Sequence, residues 1–537
     1  MKHFISIVSL FLFFASVGQV YPATWNVNNL VDFQTRLTEA QNNGQDDTIN
    51  VAAGTYNVAA TLVYQPSEVR ALTIQGASAA TTILDGGNSV QIMSVDTTGG
   101  GSSADITIRN FTFRNGNNAA GNGGGLKILV PGVVITAENC IFTNNTANGS
   151  GGAVSMLAGD NGTVYFENNS VGGTNSADGF GGAVYINSND NGTLFIRNNS
   201  ITGTNTSSSG GGALYANTSS NGTSVISGNT VSGSNSGTRG GGIYANTSST
   251  SSLTITNNTV SGTNTASNDG GGIYANTSSD STLTFSGNTI FGTNSATETG
   301  GGAQIHGGSR TTITVVNNTI SGTNSASQNG GGIRVNAPLD GLLYLVNNTI
   351  TGNSATNNGG GAYIPASGTA NIYNNIIRDN TAGNGDDLYV DTTDINTDIN
   401  PVNLFNNIIG PDSDFVTANS EDLVVDDITY YSRGSNRTDD PLLGPLQDNG
   451  GPTFTRALPS NSPAINVGDN GIVATLGLST DQRGYLRILD ATVDIGAYEF
   501  GADFSIPTMS QWGMIIFMLF AGLSAVYYLR RQRRAAS

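Results

Sequence analysis

The chain contains few residues of the kinds that many enzymes and metalloproteins use. Its 537 residues include one cysteine, Cys140, and two histidines, His3 and His306. A disulfide within the chain and a site with several thiolate ligands are therefore excluded. Two histidines are too few for a typical histidine-based zinc site, and we predict no metal and no cofactor. Cys140 lies in an apolar, strand-like run, which favours a buried thiol over a reactive one.

Basic residues are also scarce. Lysine and arginine number 20 against 38 aspartate and glutamate, which gives a formal net charge of −18. Nucleic acids and anionic lipids require clustered basic side chains, so we expect no nucleic-acid partner. Charged residues make up only 11% of the chain, and glycine numbers 73. This composition is compatible with disorder, but regularly spaced Ile, Val, Leu and Tyr favour a packed fold.

Two features return nearly every thirty residues in the middle of the chain. Glycine runs end at Gly125, Gly152, Gly182, Gly212, Gly242, Gly272, Gly302, Gly332 and Gly361. A second series, in which each asparagine is followed by Ser or Thr and then Ile or Val, consists of Asn169, Asn199, Asn229, Asn258, Asn288, Asn318 and Asn348. A fixed period of this length is typical of stacked repeats with caps at both ends.

Each repeat reads as short strands joined by turns. In residues 270–296, Ile273 and Ala275 alternate with more polar neighbours, as Leu283 and Phe285 do. This period of two is typical of half-buried strands, and the segments are too short and too β-branched for helices. We therefore predict an all-β fold, a right-handed parallel β-helix over residues 102–385. About ten rungs spaced about 4.8 Å apart would make a rod roughly 50 Å long.

The recurring asparagines predict an internal ladder. Asparagines stacked on successive rungs hydrogen-bond to one another and to turn backbone that is otherwise buried without partners. We expect the same position to continue at Asn110 and Asn139 before the series and at Asn375 after it. The alternative interpretation is an exposed polar row that binds carbohydrate.

Residues 24–101 differ from the repeats. Apolar residues at helical spacing between 29 and 40 predict a helix, and strands are expected at 47–51 and 71–75. This order resembles the N-terminal cap of pectate-lyase-like β-helices. A cap is needed because an open final rung exposes unpaired strand edges.

The periodicity fades from residue 386, and residues 386–503 are predicted to form the C-terminal cap. Several motifs in this region occur in the order of the choice-of-anchor Q domain, at residues 448–453, 457–458, 462–469, 480–484 and 494–499. The region resembles that domain, which ends many secreted repeat proteins just before an anchoring signal. The glycine repeats also resemble those of polymorphic outer membrane proteins. Neither resemblance implies catalytic residues, and Asp481, Gln482, Arg483 and Asp494 are interpreted as buried salt-bridge and turn residues.

The first residues read as a secretory signal peptide over 1–18. Lys2 precedes an apolar run over 4–17, and small and turn residues follow. Cleavage is predicted after Gly18, with Ala23 as the alternative, and export is expected through the Sec translocon. An uncleaved anchor is the other interpretation, although the apolar run is short for a bilayer.

The last residues predict a second membrane signal. An apolar stretch over 513–529 predicts one transmembrane helix, and the arginines after it would remain in the cytoplasm. These arginines are Arg530, Arg531, Arg533 and Arg534. The residues before the stretch are Ile506, Pro507, Thr508, Met509, Ser510, Gln511, Trp512 and Gly513.

This arrangement over residues 506–534 resembles the IPTL-type variant of PEP-CTERM sorting signals in Gram-negative bacteria. Met509 stands where that family usually has Leu, and Gln511 where it often has Glu. The resemblance implies an exosortase-type peptidase as partner, an inner-membrane intermediate, and a final location at the cell surface or outside the cell. A plain C-terminal anchor is the alternative.

The sequence favours a scaffold over an enzyme. Basic residues between 120 and 370 are few, namely Lys127, Arg197, Arg239, Arg310 and Arg334, and none stands beside an acidic cluster. Active sites usually interrupt the repeat that carries them, whereas this repeat is nearly regular. We expect a structural, adhesive or glycan-contacting protein whose partner is a polysaccharide or another surface component. The alternative is a polysaccharide lyase or glycoside hydrolase of the pectate-lyase-like fold.

Overall fold

The computed structural model describes residues 22–97, 104–391, 402–411 and 431–502, together with three short strands between 414 and 429. The predicted signal peptide and the predicted sorting segment over 506–534 lie outside the described residues. Within the described part of the chain, no helix has the length and apolar character needed to span a bilayer.

Four parallel sheets, here named A to D, form a β-helix. One rung passes through Thr163–Glu167 in sheet A, Ser170–Gly172 in sheet B, Thr174–Ala177 in sheet D and Val184–Ser188 in sheet C. The next rung begins at Thr193, thirty residues after Thr163 and directly paired with it. One repeat of thirty residues therefore makes one full turn of the rod, and equivalent residues stack along its axis.

The strands of each sheet follow in axial order. Sheet A has 15 strands: Ala23–Val27, Asp47–Val51, Leu72–Gly76, Ile106–Arg109, Val134–Glu138, Thr163–Glu167, Thr193–Arg197, Thr223–Ser227, Ser252–Thr256, Thr282–Ser286, Thr312–Val316, Leu342–Val346, Thr369–Tyr373, Val402–Phe405 and Tyr431–Gly434. Sheet B has 13: Gly54–Asn57, Thr82–Asp85, Thr112–Arg114, Ile141–Thr143, Ser170–Gly172, Ser200–Ile201, Thr230–Val231, Thr259–Val260, Thr289–Ile290, Thr319–Ser321, Thr349–Thr351, Ile376–Arg378 and Ile408–Ile409. Sheet C has 13: Leu62–Tyr64, Met93–Asp96, Leu126–Leu129, Val154–Leu157, Val184–Ser188, Leu214–Thr218, Ile243–Thr247, Ile273–Thr277, Ala303–Gly307, Ile333–Val335, Ala362–Pro365, Leu388–Asp391 and Asp414–Val416. Sheet D has 9: Asn117–Asn118, Thr146–Ala147, Thr174–Ala177, Thr204–Ser207, Ser234–Gly237, Thr263–Ala266, Thr293–Ala296, Ser325–Ala326 and Ser354–Ala355.

The rod is longer than the ten rungs expected from the repeats. The region predicted as the N-terminal cap contributes strands to sheets A, B and C, and Val402–Phe405 and Tyr431–Gly434 extend sheet A beyond the periodic part. One continuous apolar core runs inside the rod from Val27 to Ile409.

The N-terminal helix is confirmed and spans Leu30–Glu39. The side chain of Asn29 caps it by accepting a hydrogen bond from the backbone N–H of Asp32 at 2.9 Å. Phe33 and Leu37 are fully buried against the first rungs. The helix therefore contributes its apolar face to the N-terminal end of the core.

The glycine runs lie between sheets D and C, where successive rungs approach closely. In one run, Gly240 has a φ of +59°, which favours glycine. A Cβ on the next residue, Gly241, would lie 2.5 Å from the carbonyl oxygen of Gly271 on the following rung. The run thus combines one left-handed turn residue with positions where the neighbouring rung leaves no space for a side chain.

The seven recurring asparagines, Asn169 to Asn348, form a buried column that we call the inner ladder. Around Asn288, its Oδ1 accepts from the backbone N–H and from Nδ2 of Asn258, both at 3.0 Å. Its Nδ2 donates to Oδ1 of Asn318 at 3.1 Å and to the carbonyl oxygen of Ile255 at 2.9 Å. All seven side chains are at most 2% exposed, so the column cannot contact a ligand. The ladder continues through Asn375 and Asn407 to Asn436.

The expected extension of the ladder to Asn110 and Asn139 is wrong by one residue. Cys140, not Asn139, pairs in register with Asn169, and its N–H donates to Oδ1 of Asn169 at 2.9 Å. Asn110 and Asn139 have positive φ and occupy the neighbouring left-handed corner. Cys140 is 1% exposed, as predicted for a buried thiol, and burial raises its pKa to about 12.

Replacing Cys140 with asparagine is expected to stabilise the protein by about 1 kcal/mol, the net value of a typical hydrogen bond. The Sγ atom lies 3.9 Å from the carbonyl oxygen of Ile108. Each ladder Nδ2 donates to the equivalent carbonyl, so Cys140→Asn would add one ladder step. Chemical denaturation measures the change, with Cys140→Ala as the control that lowers stability. A lower midpoint for Cys140→Asn than for Cys140→Ala would contradict the assignment.

A second buried asparagine column joins sheets B and D. It consists of Asn145, Asn175, Asn205, Asn235, Asn264, Asn294, Asn324, Asn353 and Asn380. Each Nδ2 from Asn175 onward donates to Oδ1 of the next member, as Asn205 does to Asn235 at 2.8 Å. The column ends on the carboxylate of Asp387, which accepts from Nδ2 of Asn380 at 2.8 Å. A carboxylate suits this end because it only accepts hydrogen bonds.

Residues 440–502, which we call the strap, fold back along the outer face of sheet B. The hydroxyl of Thr319 donates to Oε1 of Gln482 at 2.6 Å, and Nδ2 of Asn347 donates to the carbonyl oxygen of Asp494 at 3.0 Å. Further along the axis, Nδ2 of Asn406 donates to the carbonyl oxygen of Val467 at 3.0 Å. The strap contains the helix Asn470–Thr475 and the antiparallel pair Leu446–Gln447 with Thr455–Arg456. Another antiparallel pair, outside the strap, joins Val424–Val425 to Ile428–Thr429.

The strap holds a buried cluster of charged side chains. Arg483 forms a salt bridge with Asp481 at 2.8 Å, which confirms the interpretation of these two residues as structural. Asp494 accepts hydrogen bonds from the backbone N–H groups of Asn466 and Phe500. These contacts fix the turns of the strap and leave the charged groups without access to a substrate.

The Glu499 carboxyl is expected to make stability depend on pH. Burial raises its pKa to about 8 from an ordinary value of 4.5; Arg487, 3.9 Å away, opposes the shift and Asp494 adds to it. The folded protein therefore retains a proton that the unfolded chain releases, and stability falls as pH rises through this window. Denaturation from about pH 5 to about pH 8 measures the slope, which Glu499→Gln should reduce. An unchanged slope in that variant would contradict the shift.

Candidate functional site

The outer face of sheet C carries a row of aromatic side chains. Inward positions such as Val184 and Ile186 are apolar, and the alternating outward position is tyrosine on four consecutive rungs. The members of this tyrosine row are Tyr185, Tyr215, Tyr244 and Tyr274. The centroids of successive rings are 5.4, 5.0 and 4.9 Å apart. Parallel strands in register produce this regular spacing, because each rung repeats the same residue above the last.

The rings pack against one another and against the turn beside sheet C. Phe180 in that turn lies 4.5 Å from the ring of Tyr215. Only 9% of Tyr215 and 8% of Tyr274 is exposed, and burial raises the pKa of both phenols. The rings of Tyr215 and Tyr274 are therefore largely covered by their neighbours, and their hydroxyls are neutral near pH 7. Among the described residues, no side chain or backbone group lies within hydrogen-bond distance of the hydroxyls of Tyr185, Tyr215 and Tyr274.

A row of amides runs beside the tyrosines, two residues further along each strand. This surface asparagine row consists of Asn187, Asn217, Asn246 and Asn276, with Nδ2 to Oδ1 distances of 2.6, 2.6 and 2.7 Å between neighbours. Unlike the inner ladder, these side chains are only partly buried. The inner members Asn217 and Asn246 each use one donor and one acceptor within the row, so one N–H and one lone pair of each remain for a ligand.

The tyrosine row is interrupted at the next two rungs, and the asparagine row at the first of them. Gln304 and then Arg334 replace tyrosine, and His306 replaces asparagine. Tyr363 and Tyr389 resume the aromatic position, with ring centroids 5.6 Å apart. At the two interrupted rungs the outer face of sheet C carries an amide, a guanidinium and an imidazole at positions where the repeat has tyrosine and asparagine.

Arg334 has an unusual environment for a cation. Within the described part of the chain it forms no salt bridge, and its guanidinium lies 6.0 Å from the ring centroid of Tyr363. Burial lowers its pKa, although Tyr363 and Asp269 favour the charged form. Burial and then the charge of Arg334 lower the pKa of His306, so this imidazole is neutral near pH 7.

The remaining charged groups beside the interruption are paired. Arg239 lies 3.4 Å from a carboxylate oxygen of Asp269, and the hydroxyl of Thr299 lies 2.8 Å from the other oxygen. Thr299 also lies 2.7 Å from Oε1 of Gln304. No group of three His, Cys, Asp or Glu side chains in the described residues is placed to hold a metal ion.

Sequence reasoning placed its candidate residues elsewhere. The inner-ladder asparagines are buried inside the rod and not on its outer face. The sorting residues and the terminal arginines lie outside the described residues. The signal for the tyrosine row was present in the recurring Ile-Tyr-Ala-Asn-Thr pattern at 243–247 and 273–277. Alternation along a strand places its tyrosine and asparagine on the face opposite to isoleucine and alanine.

Comparison with curated proteins finds no match. Among solved structures, a mutant of the PL6 family alginate lyase AlyGC aligns with a TM-score of 0.37 and 12% identity. That alignment covers 88% of this chain and 58% of the lyase, so the chain spans less than two thirds of its length. A mannuronic acid specific polysaccharide family 6 lyase from human gut microbiota aligns with a TM-score of 0.38 and 9% identity, over 78% of this chain and 92% of the enzyme.

A family model matches the central part of the chain. The model is described as a right handed beta helix region, and it matches residues 132–320. This range includes the tyrosine row, the surface asparagine row and most of the inner ladder. The chain therefore contains a right-handed parallel β-helix region.

Proposed function

We propose that the protein is an exported scaffold that binds an extended polysaccharide chain along the outer face of sheet C. The observation that carries the proposal is the tyrosine row, in which three buried or half-buried phenols lack hydrogen-bond partners among the described residues. A hydroxyl that reaches solvent and has no protein partner can donate to and accept from the hydroxyls of a sugar chain. A polymer suits this surface better than a single sugar because the same groups recur on four rungs.

The surface asparagine row supports the same ligand class. Its free amide groups lie parallel to the tyrosines and can both donate to and accept from sugar hydroxyls. Aromatic edges next to amides combine apolar and polar contact on one surface. The long axis of the ligand would follow the rod, since both rows do.

A polysaccharide panel tests the proposal. The full chain is run in native gels that contain neutral or acidic plant and bacterial polysaccharides, and soluble products are assayed in parallel. Retardation by at least one polysaccharide without new reducing ends is the expected result. Equal mobility in every gel would overturn it.

Cleavage of an acidic polysaccharide is the second candidate function. The favouring observation is Arg334, a cation without a salt bridge, beside His306, which is neutral near pH 7. β-Elimination needs a positive group near the uronate carboxylate and a base for the adjacent proton. Unsaturated products detected by ultraviolet absorbance, and lost in Arg334→Gln, would establish this activity in place of binding alone.

The proposed location is the cell surface of a Gram-negative bacterium. The signal peptide over 1–18 and the sorting segment over 506–534 support export and processing by an exosortase-type peptidase. Locating the tagged protein in wild-type cells and in cells that lack the peptidase tests this. We expect it to accumulate in the inner membrane of the second strain.

A further inference from the structure

We propose that an apolar tip on the strap rests on the lipid bilayer that holds the membrane-bound precursor. The tip consists of Leu486, Ile488 and Leu489, which are 63%, 39% and 41% exposed. This inference rests on the C-terminal anchoring in the proposed function and adds a contact surface to it.

The tip is a cluster and not a set of scattered side chains. Of the ten large apolar side chains that are exposed in the described residues, three fall within these four positions. Single exposed apolar residues are normal on soluble proteins, whereas contiguous exposed apolar surface is the feature associated with contact sites.

The backbone of the strap fixes which side chains face outward. Tyr485 and Arg487, which alternate with the tip residues, are 9% and 0% exposed. The Arg487 guanidinium donates to the carbonyl oxygen of Gly496, and its backbone N–H donates to the carbonyl oxygen of Ser479 at 3.0 Å. Because Arg487 is held inside the strap, Leu486 and Ile488 must point away from it.

The chain leaves the described strap beside this tip. A Cβ at Gly501 would lie 3.2 Å from Cδ2 of Leu489, and Ala502 is the last described residue. Ten residues, 503–512, separate Ala502 from Gly513, where the predicted transmembrane stretch begins. Ten extended residues reach at most about 35 Å, so an inserted stretch would keep the bilayer within reach of the tip.

The charged residues beside the tip indicate which kind of lipid surface it can contact. Asp490 directly follows the tip in sequence and is exposed, whereas Arg487 is buried. Within residues 486–490 the exposed charge is this carboxylate, which does not favour anionic headgroups. The chemistry therefore fits the apolar region of a zwitterionic bilayer. The contact would hold the rod with the strap toward the membrane and keep the 506–513 motif near the bilayer surface.

Lipid-linked quenching tests the contact. The full chain with Ile488→Cys is labelled with a fluorophore and reconstituted in vesicles of phosphatidylcholine and phosphatidylethanolamine. Labelling is selective because the native thiol, Cys140, is 1% exposed. Quenchers attached to the acyl chains should reduce the signal several-fold more than for the control Val69→Cys, which lies in the N-terminal region and is 71% exposed.

A second variant separates contact from simple proximity. In Ile488→Cys with Leu486→Ser and Leu489→Ser, quenching should fall to the control level while the chain stays in the vesicles. Equal quenching at positions 488 and 69 in vesicle-bound chains would overturn the proposal and leave the anchoring intact. Failure of the chain to float with vesicles would overturn both. A fluorescence change that depends on protein concentration without lipid would assign the tip to a second copy of the chain and also overturn it.

Discussion

Asn288→Ala is expected to lower the free energy of unfolding by about 2–4 kcal/mol. The substitution leaves the backbone N–H of Asn258 without its acceptor and removes the side-chain donor to the carbonyl oxygen of Ile255. Nδ2 of Asn258 loses one of its three acceptors and keeps the carbonyl oxygens of Ile226 and Thr256. Each orphaned buried polar group costs about 1–3 kcal/mol. Asn288 is 0% exposed, so water cannot replace the lost partners without opening the rung.

Asn276→Ala is the matched control for this prediction. It removes an asparagine of the preceding rung, in the sheet C strand Ile273–Thr277, from the partly exposed surface row. Water can reach its partner Asn246, so a loss below about 1 kcal/mol is expected. Denaturant midpoints of the two variants provide the comparison. Similar losses for both would show that the inner ladder has no special role in stability.

The double substitution Tyr215→Ala and Tyr274→Ala is expected to weaken polysaccharide binding at least tenfold, which corresponds to about 1.4 kcal/mol. It removes two of the four rings and two hydroxyls without a described partner. The more conservative pair Tyr215→Phe and Tyr274→Phe keeps the ring packing and removes only the hydroxyls. It should lose part of the affinity with little change in stability.

Two aromatic residues on another face provide the control. Tyr165 and Phe195 stack on the outside of sheet A, with centroids 5.0 Å apart. Alanine at these two positions should leave retardation in the polysaccharide gel unchanged. If the sheet A variant lost as much binding as the sheet C variant, the binding site would lie elsewhere or the binding would be non-specific.

The rung architecture could be predicted because its causes are local. Glycine is required where Gly240 turns and where Gly241 meets the next rung, and such requirements recur at the repeat length. Buried amides need partners, which made the ladder from Asn169 to Asn348 predictable as well.

The error of one residue at Asn139 has a simple cause. Most rungs place two asparagines together, one in the left-handed corner and one in the ladder, as Asn168 and Asn169 do. Where only Asn139 precedes Cys140, the sequence pattern does not tell which of the two positions has been replaced. The strand register shows that Cys140 occupies the ladder position.

The strap and the interruption of the tyrosine row were harder to foresee. Thr319 and Gln482 are 163 residues apart in the chain, and no local pattern predicts their hydrogen bond. Arg334 and His306 were each visible as breaks in the repeat, but they come from different rungs. Only the alignment of rungs shows that both belong to the outer face of sheet C.

Tyrosine footprinting with and without bound polysaccharide tests the central claim most directly. The full chain is oxidised by hydroxyl radicals, and modification of each tyrosine is measured by mass spectrometry. The proposal predicts protection of Tyr185 and Tyr244, the more accessible members of the row, and unchanged modification of Tyr165 and Tyr344 on sheet A. Protection confined to sheet A, or no protection at saturating polysaccharide, would contradict the assignment of the sheet C face as the binding surface.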